Sequence, residues 1–580
     1  MRLGDKATAG LVGVVAILAY WPALRVGFTS DDFFILARLK EFGGLSHPLA
    51  YFSASGFFEY YRPLTFLSHA VDWQFWGMNP LGYPITNIAL HAGSSVLVCL
   101  LGYRLGGRTT GIIAGALFAL HPAGQEAVYW ISARFDLLAT GLALASLLLY
   151  SRDGRGYLFG VFTFGLALLA KESAIALPVI LLAHDVIIRR LEWRRAARRL
   201  APIVIVAIGY ALLRSHAGAL EAAGGASRLP KIVALAALIA GLLWLARAPQ
   251  LPARLQRFVS SGRTLMWVAV GGAGAVFVAL VLSPASLWLR SKIGFASFSA
   301  FYLFSPVAFP PLPASLFDLP EVPVAAVELV LLVIVLIAFV RAAPWIAARP
   351  PALFCVVFVI AALVPVSSMT ASPRYLYLAS AGVLMLAGLV VESRPMGVGL
   401  KRAVPALAGV LALSFVQIVA AGRSWKWASD MTRDSLALIS PALQPCGTQD
   451  VIILTTPAGI RGVYSNLNEV AFSVAGCVPA SFATVLRVVR VDAVIEVDRR
   501  DDVIELRVPV DQGNFVASRD LHAFDLPITG GDRVAIDTPV GRLESEASAG
   551  GRIFRLTVGA RYRHAHFFYF TDGRLKALRP

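Results

Sequence analysis

Two adjacent acids, Asp31-Asp32 in Phe28-Thr-Ser-Asp-Asp-Phe-Phe34, follow directly on the first long apolar stretch of the chain. Neighbouring carboxylates at such an edge repel each other and are costly to desolvate, which marks a working site more than a helix cap. Further polar residues recur where apolar sequence is interrupted. His121-Pro-Ala-Gly-Gln-Glu-Ala-Val-Tyr-Trp-Ile-Ser-Ala-Arg-Phe-Asp-Leu-Leu138 carries Glu126, Arg134 and Asp136, and Pro122 and Gly124 break the run. Irregular backbone at membrane depth is tolerated only where it lines a cavity or packs inside protein. Lys171 and Glu172 stand between two apolar runs, and Arg374 stands where another begins. Such cations either snorkel to headgroups or clamp phosphate. Arg134 and Asp136 could also be a structural ion pair.

The elements that must hold these residues are membrane helices. Of 580 residues, 57% are hydrophobic and 15% charged, with a mean hydropathy of +0.69, which excludes an ordinary soluble globular protein. Apolar stretches near 8–28, 84–104, 109–121, 134–150, 157–170, 174–188, 200–215, 231–246, 264–285, 321–341, 351–366, 374–391 and 402–421 predict about thirteen spans by length. The net charge of +17 resides largely in short loops between them, such as Arg189, Arg190, Arg194, Arg195, Arg198 and Arg199. That pattern marks cytoplasmic loops and sets nucleic acid aside as a partner. The N-terminus is then inside, and the first span reads as a retained helix. Asp31, Asp32, Glu59, Asp72, Glu126, Asp136 and Glu172 all fall on the outer side. Trp73, Phe75 and Trp76 read as an interfacial aromatic belt.

After about residue 445 strand-like alternation replaces the long apolar runs. Ala493–Asp498 and Val503–Val508 flank the turn cue Asp501-Asp502, and Gly530-Gly531-Asp532, Gly550-Gly551 and Asp572-Gly573 supply further turns. The expected organisation is a transmembrane domain over 1–421, a linker over 422–444 and a small β-rich extracytoplasmic domain over 445–580. Cys446 and Cys477 lie in this tail, where an oxidising compartment would let them pair. His564 and His566 read as surface or strand residues rather than metal ligands.

Several motifs carry a family likeness. Tyr61-Arg-Pro-Leu64, Asn87-Ile-Ala-Leu-His91, the run from His121 to Ala139, Leu169-Ala-Lys-Glu172 and Arg374-Tyr-Leu-Tyr-Leu378 resemble the transmembrane O-mannosyltransferases that carry tetratricopeptide repeats, and their bacterial relatives. Asp31-Asp32 after the first helix resembles the paired-acid motif of the wider GT-C glycosyltransferase superfamily. The likeness covers roughly 8–421. This chain departs from it in having Pro373 where family members often have Glu, and in a β-like tail without the repeats.

The resemblance implies a GT-C-type polytopic α-helical fold with the β-rich domain appended. It also implies transfer of a sugar, mannose or another hexose or pentose, from a polyprenyl-phosphate donor to an acceptor hydroxyl at the outer face. An inverting transfer needs a base for the acceptor proton and cations for the departing phosphate. Asp31 or Asp32 is the expected base, with Asp32 slightly preferred. Lys171 and Arg374 are the leading phosphate cations, followed by Arg62 and Arg134. Glu126, Asp136, Glu172, Tyr61, His91 and Tyr375 are expected to orient these groups or bind substrate. A carboxylate pair suits Mg²⁺ or Mn²⁺, but a lipid monophosphate donor lacks the diphosphate that usually demands one, so no metal is expected. The acceptor is a protein, a lipid-linked glycan or an envelope polymer, and a bacterial inner membrane is the expected location. A polytopic transporter or a flippase for lipid-linked glycans is the alternative. It would call for inverted repeats, which the sequence does not display.

Overall fold

The computed structural model describes residues 3–53, 60–216, 321–367, 372–393, 400–457, most of 481–571 and 574–578, with scattered residues over 296–304 and 471–479. The spans expected over 231–246 and 264–285, and Glu59, lie outside the described residues. Within them, seven helices are long and apolar enough to cross a membrane, and three shorter apolar helices accompany them. The protein is an integral membrane protein of many helices with a β-sheet tail.

Helix α1 (Leu3–Ala19) leads through a short 3-10 turn, Trp21–Arg25, to α2 (Asp32–Glu41). Ser30 takes a positive φ of 51°, which reverses the chain just before the acidic pair. Helices α3 (Pro63–Trp76), α4 (Gly82–Gly106) and α5 (Arg108–Leu120) follow. At 1.5 Å per residue, α4 is roughly 37 Å long, enough to cross the bilayer. It turns back into α5 through Gly107 alone, at φ +94°. A Cβ on Gly102 would lie 2.8 Å from the Gly111 backbone. Small residues therefore let α4 and α5 approach closely, as membrane helices favour.

Pro122 and Gly124 stop α5 as the sequence predicts, and the chain runs through α6 (Gly124–Tyr129) and a 3-10 turn, Ile131–Ala133, into α7 (Arg134–Tyr150). Every residue from His121 to Arg134 is buried, so the irregular backbone is enclosed in protein as membrane depth requires. After α8 (Arg155–Ala170), the expected single span over 174–188 is broken. It comprises a 3-10 turn at Glu172–Ala176, α9 (Leu177–Ala183) and a π-turn at His184–Ile188. Pro178 starts the middle piece. At the far end buried Asp185 is held by the Tyr150 hydroxyl at 2.9 Å and by Arg199 Nε at 3.1 Å.

Helices α10 (Trp193–His216), α11 (Glu321–Ala347), α12 (Pro350–Leu363) and α13 (Tyr377–Ser393) complete the bundle before α14 (Leu400–Ile439). The stretch 422–444, expected as a linker, is instead helical to Ile439. The reason is periodicity: Ala421, Trp425, Ala428, Thr432, Ser435 and Ile439 are all buried and form one stripe at three- and four-residue spacing. That stripe covers the loop before the acidic pair, with Thr432 Oγ1 3.4 Å from Thr29 Oγ1.

In the tail, β1 (Asp450–Pro457) pairs in parallel with β2 (Ser481–Val488) and with β10 (His566–Thr571). Its run Val451-Ile452-Ile453-Leu454 is wholly buried, as a central parallel strand should be. β5 (Phe515–Asp520) and β6 (Ala523–Ile528) extend one edge of this sheet, and β11 (Arg574–Ala577) the other. The second sheet contains β3 (Glu496–Arg500), β4 (Val503–Pro509), β7 (Val534–Asp537), β8 (Gly541–Ser548) and β9 (Gly551–Val558). The anticipated turn at Asp501-Asp502 joins β3 to β4, with Asp501 at φ +53°. Val451, Ile453, Phe568 and Phe570 pack into the core of the helical bundle. Cys446 and Cys477 form a disulfide. His564 and His566 are exposed.

Candidate active site

The start of α2, the turn before α7, the start of the 3-10 turn after α8 and the 3-10 turn Pro373–Leu376 before α13 meet around one open cavity of about 840 Å³. Its charged lining is Asp31, Arg62, Asp136, Lys171 and Arg374, and its walls include Phe34, Tyr60, Phe66, Trp130, Phe135 and Tyr375. Residues 343 positions apart in sequence, Asp31 and Arg374, thus share one chamber.

The two acids of the pair have different surroundings. Asp32 is 1% exposed and is not among the residues that line the cavity. Its carboxylate accepts from the Thr29 amide at 2.9 Å, the Ser132 amide at 2.8 Å and the Ser132 hydroxyl. Burial dominates and pushes its pKa up to about 7, against the hydrogen bonds from Ser132 and Thr29, with the Asp31 charge adding a further upward push. Asp32, the slightly preferred base on sequence grounds, is therefore a tie between α2 and the turn before α7. Asp31 lines the cavity, and among the described residues it makes no ion pair; the Ser30 hydroxyl lies 3.4 Å from it. Burial raises its pKa, while the positive charge of Arg374 pulls it back down.

Cations face it. Lys171, 2% exposed, donates to Asp136 Oδ1 at 2.5 Å and lies 4.7 Å from the centre of the Tyr375 ring. Arg374 donates from Nη1 to Glu126 Oε1 at 2.7 Å and from Nη2 to the Tyr375 hydroxyl at 3.0 Å. Its guanidinium carbon stands 4.5 Å above the Trp130 ring. Glu126 Oε2 also accepts from the Ser372 hydroxyl at 2.6 Å and the Arg374 amide at 3.2 Å, which fixes the start of α13. Glu126, from α6, is thus the acid that meets Arg374. Asp136 Oδ2 lies 4.0 Å from Arg374 Nε, so one carboxylate sits between two cations.

Arg62 also lines the cavity, but its fork is matched to Glu172 through bonds of 2.9 and 2.6 Å, and its guanidinium stacks 4.0 Å over Tyr60. Burial opposes ionisation of Glu172, yet Arg62 overcomes it and holds the pKa at about 2. Arg134 is displaced from the expected set. Completely buried, it donates to Asn87, to the Ser68 carbonyl and hydroxyl, to Asp72 at 2.5 Å and to the Tyr83 carbonyl. Its donors are spent on α3 and α4, so it braces the bundle, and its acid partner is Asp72 rather than Asp136. His91 is likewise structural: it is hydrogen-bonded to the Tyr377 hydroxyl at 2.6 Å and the Ala119 carbonyl at 3.1 Å. Tyr61 is buried against Tyr210, outside the cavity lining.

Sequence reasoning did not select Ser132, Trp130 or Tyr60 as site residues. Ser132 and Trp130 stand inside the 121–139 motif, and their position between Glu126 and Arg134 was the available signal. Among the described residues no three carboxylate, histidine or cysteine side chains gather as a metal site would require.

Comparison with known proteins decides what this arrangement is related to. Drosophila melanogaster protein O-mannosyl-transferase Tmtc1 is 35% identical over 191 residues, covering 30% of this chain and 22% of that protein. Human protein O-mannosyl-transferase TMTC3 is 29% identical over 197 residues, covering 31% of this chain and 21% of that protein. This chain resembles the TMTC protein O-mannosyl-transferases. The matched stretch spans only about a fifth of each of these two TMTC proteins, and no family model matches the chain. Among solved structures, the archaeal oligosaccharyltransferase AglB of Archaeoglobus fulgidus aligns at a TM-score of 0.38 and 14% identity, covering 82% of this chain and 64% of AglB. ArnT of Cupriavidus metallidurans aligns at 0.34 and 15%, covering 82% of this chain and 85% of ArnT. Sequence carries the likeness to the TMTC proteins.

Proposed function

We propose that the protein is an inverting membrane glycosyltransferase that moves a sugar from a polyprenyl-phosphate donor to an acceptor hydroxyl at the outer membrane face. The observation that carries this reading is one cavity lined by an acid that makes no ion pair among the described residues, Asp31, and by two cations, Lys171 and Arg374, between aromatic walls.

In this reading Asp31 takes the proton of the acceptor hydroxyl as that oxygen bonds to the anomeric carbon. The bond from the anomeric carbon to the phosphate oxygen breaks, and the polyprenyl phosphate leaves with the electron pair. A base with a pKa lifted by burial suits that task. Lys171 and Arg374 receive the developing phosphate charge, where charge-assisted hydrogen bonds are strongest. Asp136 and Glu126 hold those cations in place, and Arg62 with Glu172 forms the side wall. Phe34 and Tyr375 line the cavity with aromatic surface for the sugar ring. Asp32 sets the position of α2 and hence of Asp31.

Sugars from mannose to other hexoses or pentoses fit the chemistry equally, and the acceptor is a protein, a lipid-linked glycan or an envelope polymer. No metal takes part. The site and the β-rich tail face the periplasm of a bacterial inner membrane, with the N-terminus in the cytoplasm. The test is transfer from a panel of radiolabelled polyprenyl-phosphate sugars by wild-type protein and by the Asp31→Asn variant. The variant should retain its fold and lose transfer.

A further inference from the structure

Helices α1, α4 and α7 each run away from the candidate site. At their other ends the chain encloses a second open cavity, of about 1060 Å³, lined by Asp5, Lys6, Tyr103, Arg104, Arg108 and Arg152, with Leu100 and Leu148 also in its wall. Four cations thus converge against one carboxylate. Cations collect generally at the cytoplasmic ends of membrane helices, and where they line a pocket between helices they capture anionic headgroups.

The cavity is built rather than incidental. Arg104 is fixed by bonds to the Leu148 carbonyl at 2.9 Å and the Ser151 hydroxyl at 2.5 Å, which pin its guanidinium across the gap between α4 and α7. The carboxylate Asp5 stands 4.0 Å from Arg108 Nε. Lys6 and Arg152, both exposed, make no ion pair with any described residue, and Asp5 is the one acid among the residues that line the cavity. Arg108 begins α5, a helix of 13 residues whose first turn has no side-chain cap, so the positive end of its dipole adds to the field. Leu148 is buried and Leu100 half-buried, giving the cavity apolar wall on the membrane side and cations at the rim.

We propose that this cavity binds the phosphate of an anionic phospholipid headgroup, on the membrane face opposite the candidate active site. The recognised chemistry is a phosphate mono- or diester. The lipid is favoured over a free phosphate as its source because the cations sit at the ends of membrane-crossing helices with leucine walls beneath them, the depth at which a headgroup is anchored by its own acyl chains.

The test uses the full-length protein, purified in detergent and delipidated. Phosphatidylglycerol, phosphatidylcholine of the same chain length and inorganic phosphate are titrated separately, with bound mass read by native mass spectrometry and thermal stability followed alongside. The variant is Lys6→Gln/Arg152→Gln, which leaves the Arg104 anchor intact. Wild type should bind phosphatidylglycerol in preference to phosphatidylcholine, and the variant should weaken that binding roughly tenfold or more, at about 1 kcal/mol for each basic residue removed. Its melting temperature without lipid should match wild type. Equal binding of the two lipids, or phosphatidylglycerol binding untouched in the variant, would overturn the site. Saturable binding of inorganic phosphate with no gain from phosphatidylglycerol would overturn the lipid as its source. An Arg108→Lys variant that keeps the lipid preference would support recognition by charge.

Discussion

The Ser132 amide donates to Asp32 Oδ1 at 2.8 Å, across 100 residues of sequence. This bond joins the start of α2, beside Asp31, to the turn that leads into Asp136, so the proposed base and the acid that holds Lys171 share one buried contact. Ser132→Ala removes the hydroxyl bond while keeping the amide bond. It should lower thermal stability by about 1–3 kcal/mol, the range for leaving a buried acceptor short of a partner, and reduce kcat more than it raises KM. Thermal unfolding in detergent and steady-state transfer kinetics check both; an unchanged kcat would separate Asp32 from the alignment of Asp31.

Asp32 also sets a pH dependence. Its carboxyl titrates near 7 in the folded protein and at 3.8 as an unperturbed group, so between those values the folded state holds a proton that the unfolded chain has released. The stability it contributes is full below pH 3.8 and is lost as pH rises through 7. Melting temperature should therefore decline from pH 5 to pH 7.5 more steeply in wild type than in Asp32→Asn, which cannot titrate. Glu172 does not interfere, because its pKa is held at about 2 and its contribution is lost only as pH falls toward that value. Parallel pH profiles for the two proteins would contradict this.

Arg134 and Arg374 should separate stability from chemistry. Arg134→Ala leaves Asp72 buried and unpaired, a loss of about 3–5 kcal/mol, and should abolish accumulation of folded protein. Arg374→Gln should leave a folded protein that transfers sugar poorly. Size-exclusion profiles and transfer assays on both variants make the comparison, and wild-type expression of Arg134→Ala would remove its bracing role.

The tail offers a separate check. Closing a loop across 31 positions, the Cys446–Cys477 bond should contribute about 3–4 kcal/mol by loop entropy. Cys446→Ser/Cys477→Ser should increase protease sensitivity of the β-sheet region, and alkylation of the untreated protein should label neither cysteine. Transfer should persist in EDTA; loss that Mg²⁺ or Mn²⁺ reverses would place a metal in the site.

Much of this arrangement is legible in sequence. Two carboxylates beyond an apolar run, a proline- and glycine-broken motif with three charges, and cations at span boundaries led to Asp31, Asp136, Lys171 and Arg374, and the family likeness added Arg62 and Tyr375; all six line the cavity. The strand alternation around Asp501-Asp502 likewise marked the β3–β4 hairpin. Partner choice was not legible. Asp136 is two residues from Arg134 yet pairs with Lys171, because a helix turns those neighbours 200° apart, and Asp72 comes to Arg134 from another helix. Nor could adjacent acids be ranked, since a difference of one residue at a helix start decides which carboxylate faces the cavity. The linker expected after 421 concealed the second half of α14, whose polar composition hid a buried stripe that only its spacing reveals.

The proposed transfer depends on Asp31 acting on a polyprenyl-phosphate sugar. The most direct measurement incubates the purified protein in lipid with radiolabelled polyprenyl-phosphate sugars and membrane acceptor extract, beside Asp31→Asn and Asp32→Asn. Wild type should transfer one sugar, Asp31→Asn none while remaining folded, and Asp32→Asn a reduced amount. Transfer by Asp31→Asn at the wild-type rate would exclude Asp31 as the base, and consumption of no donor by the wild-type protein would exclude the polyprenyl-phosphate donor.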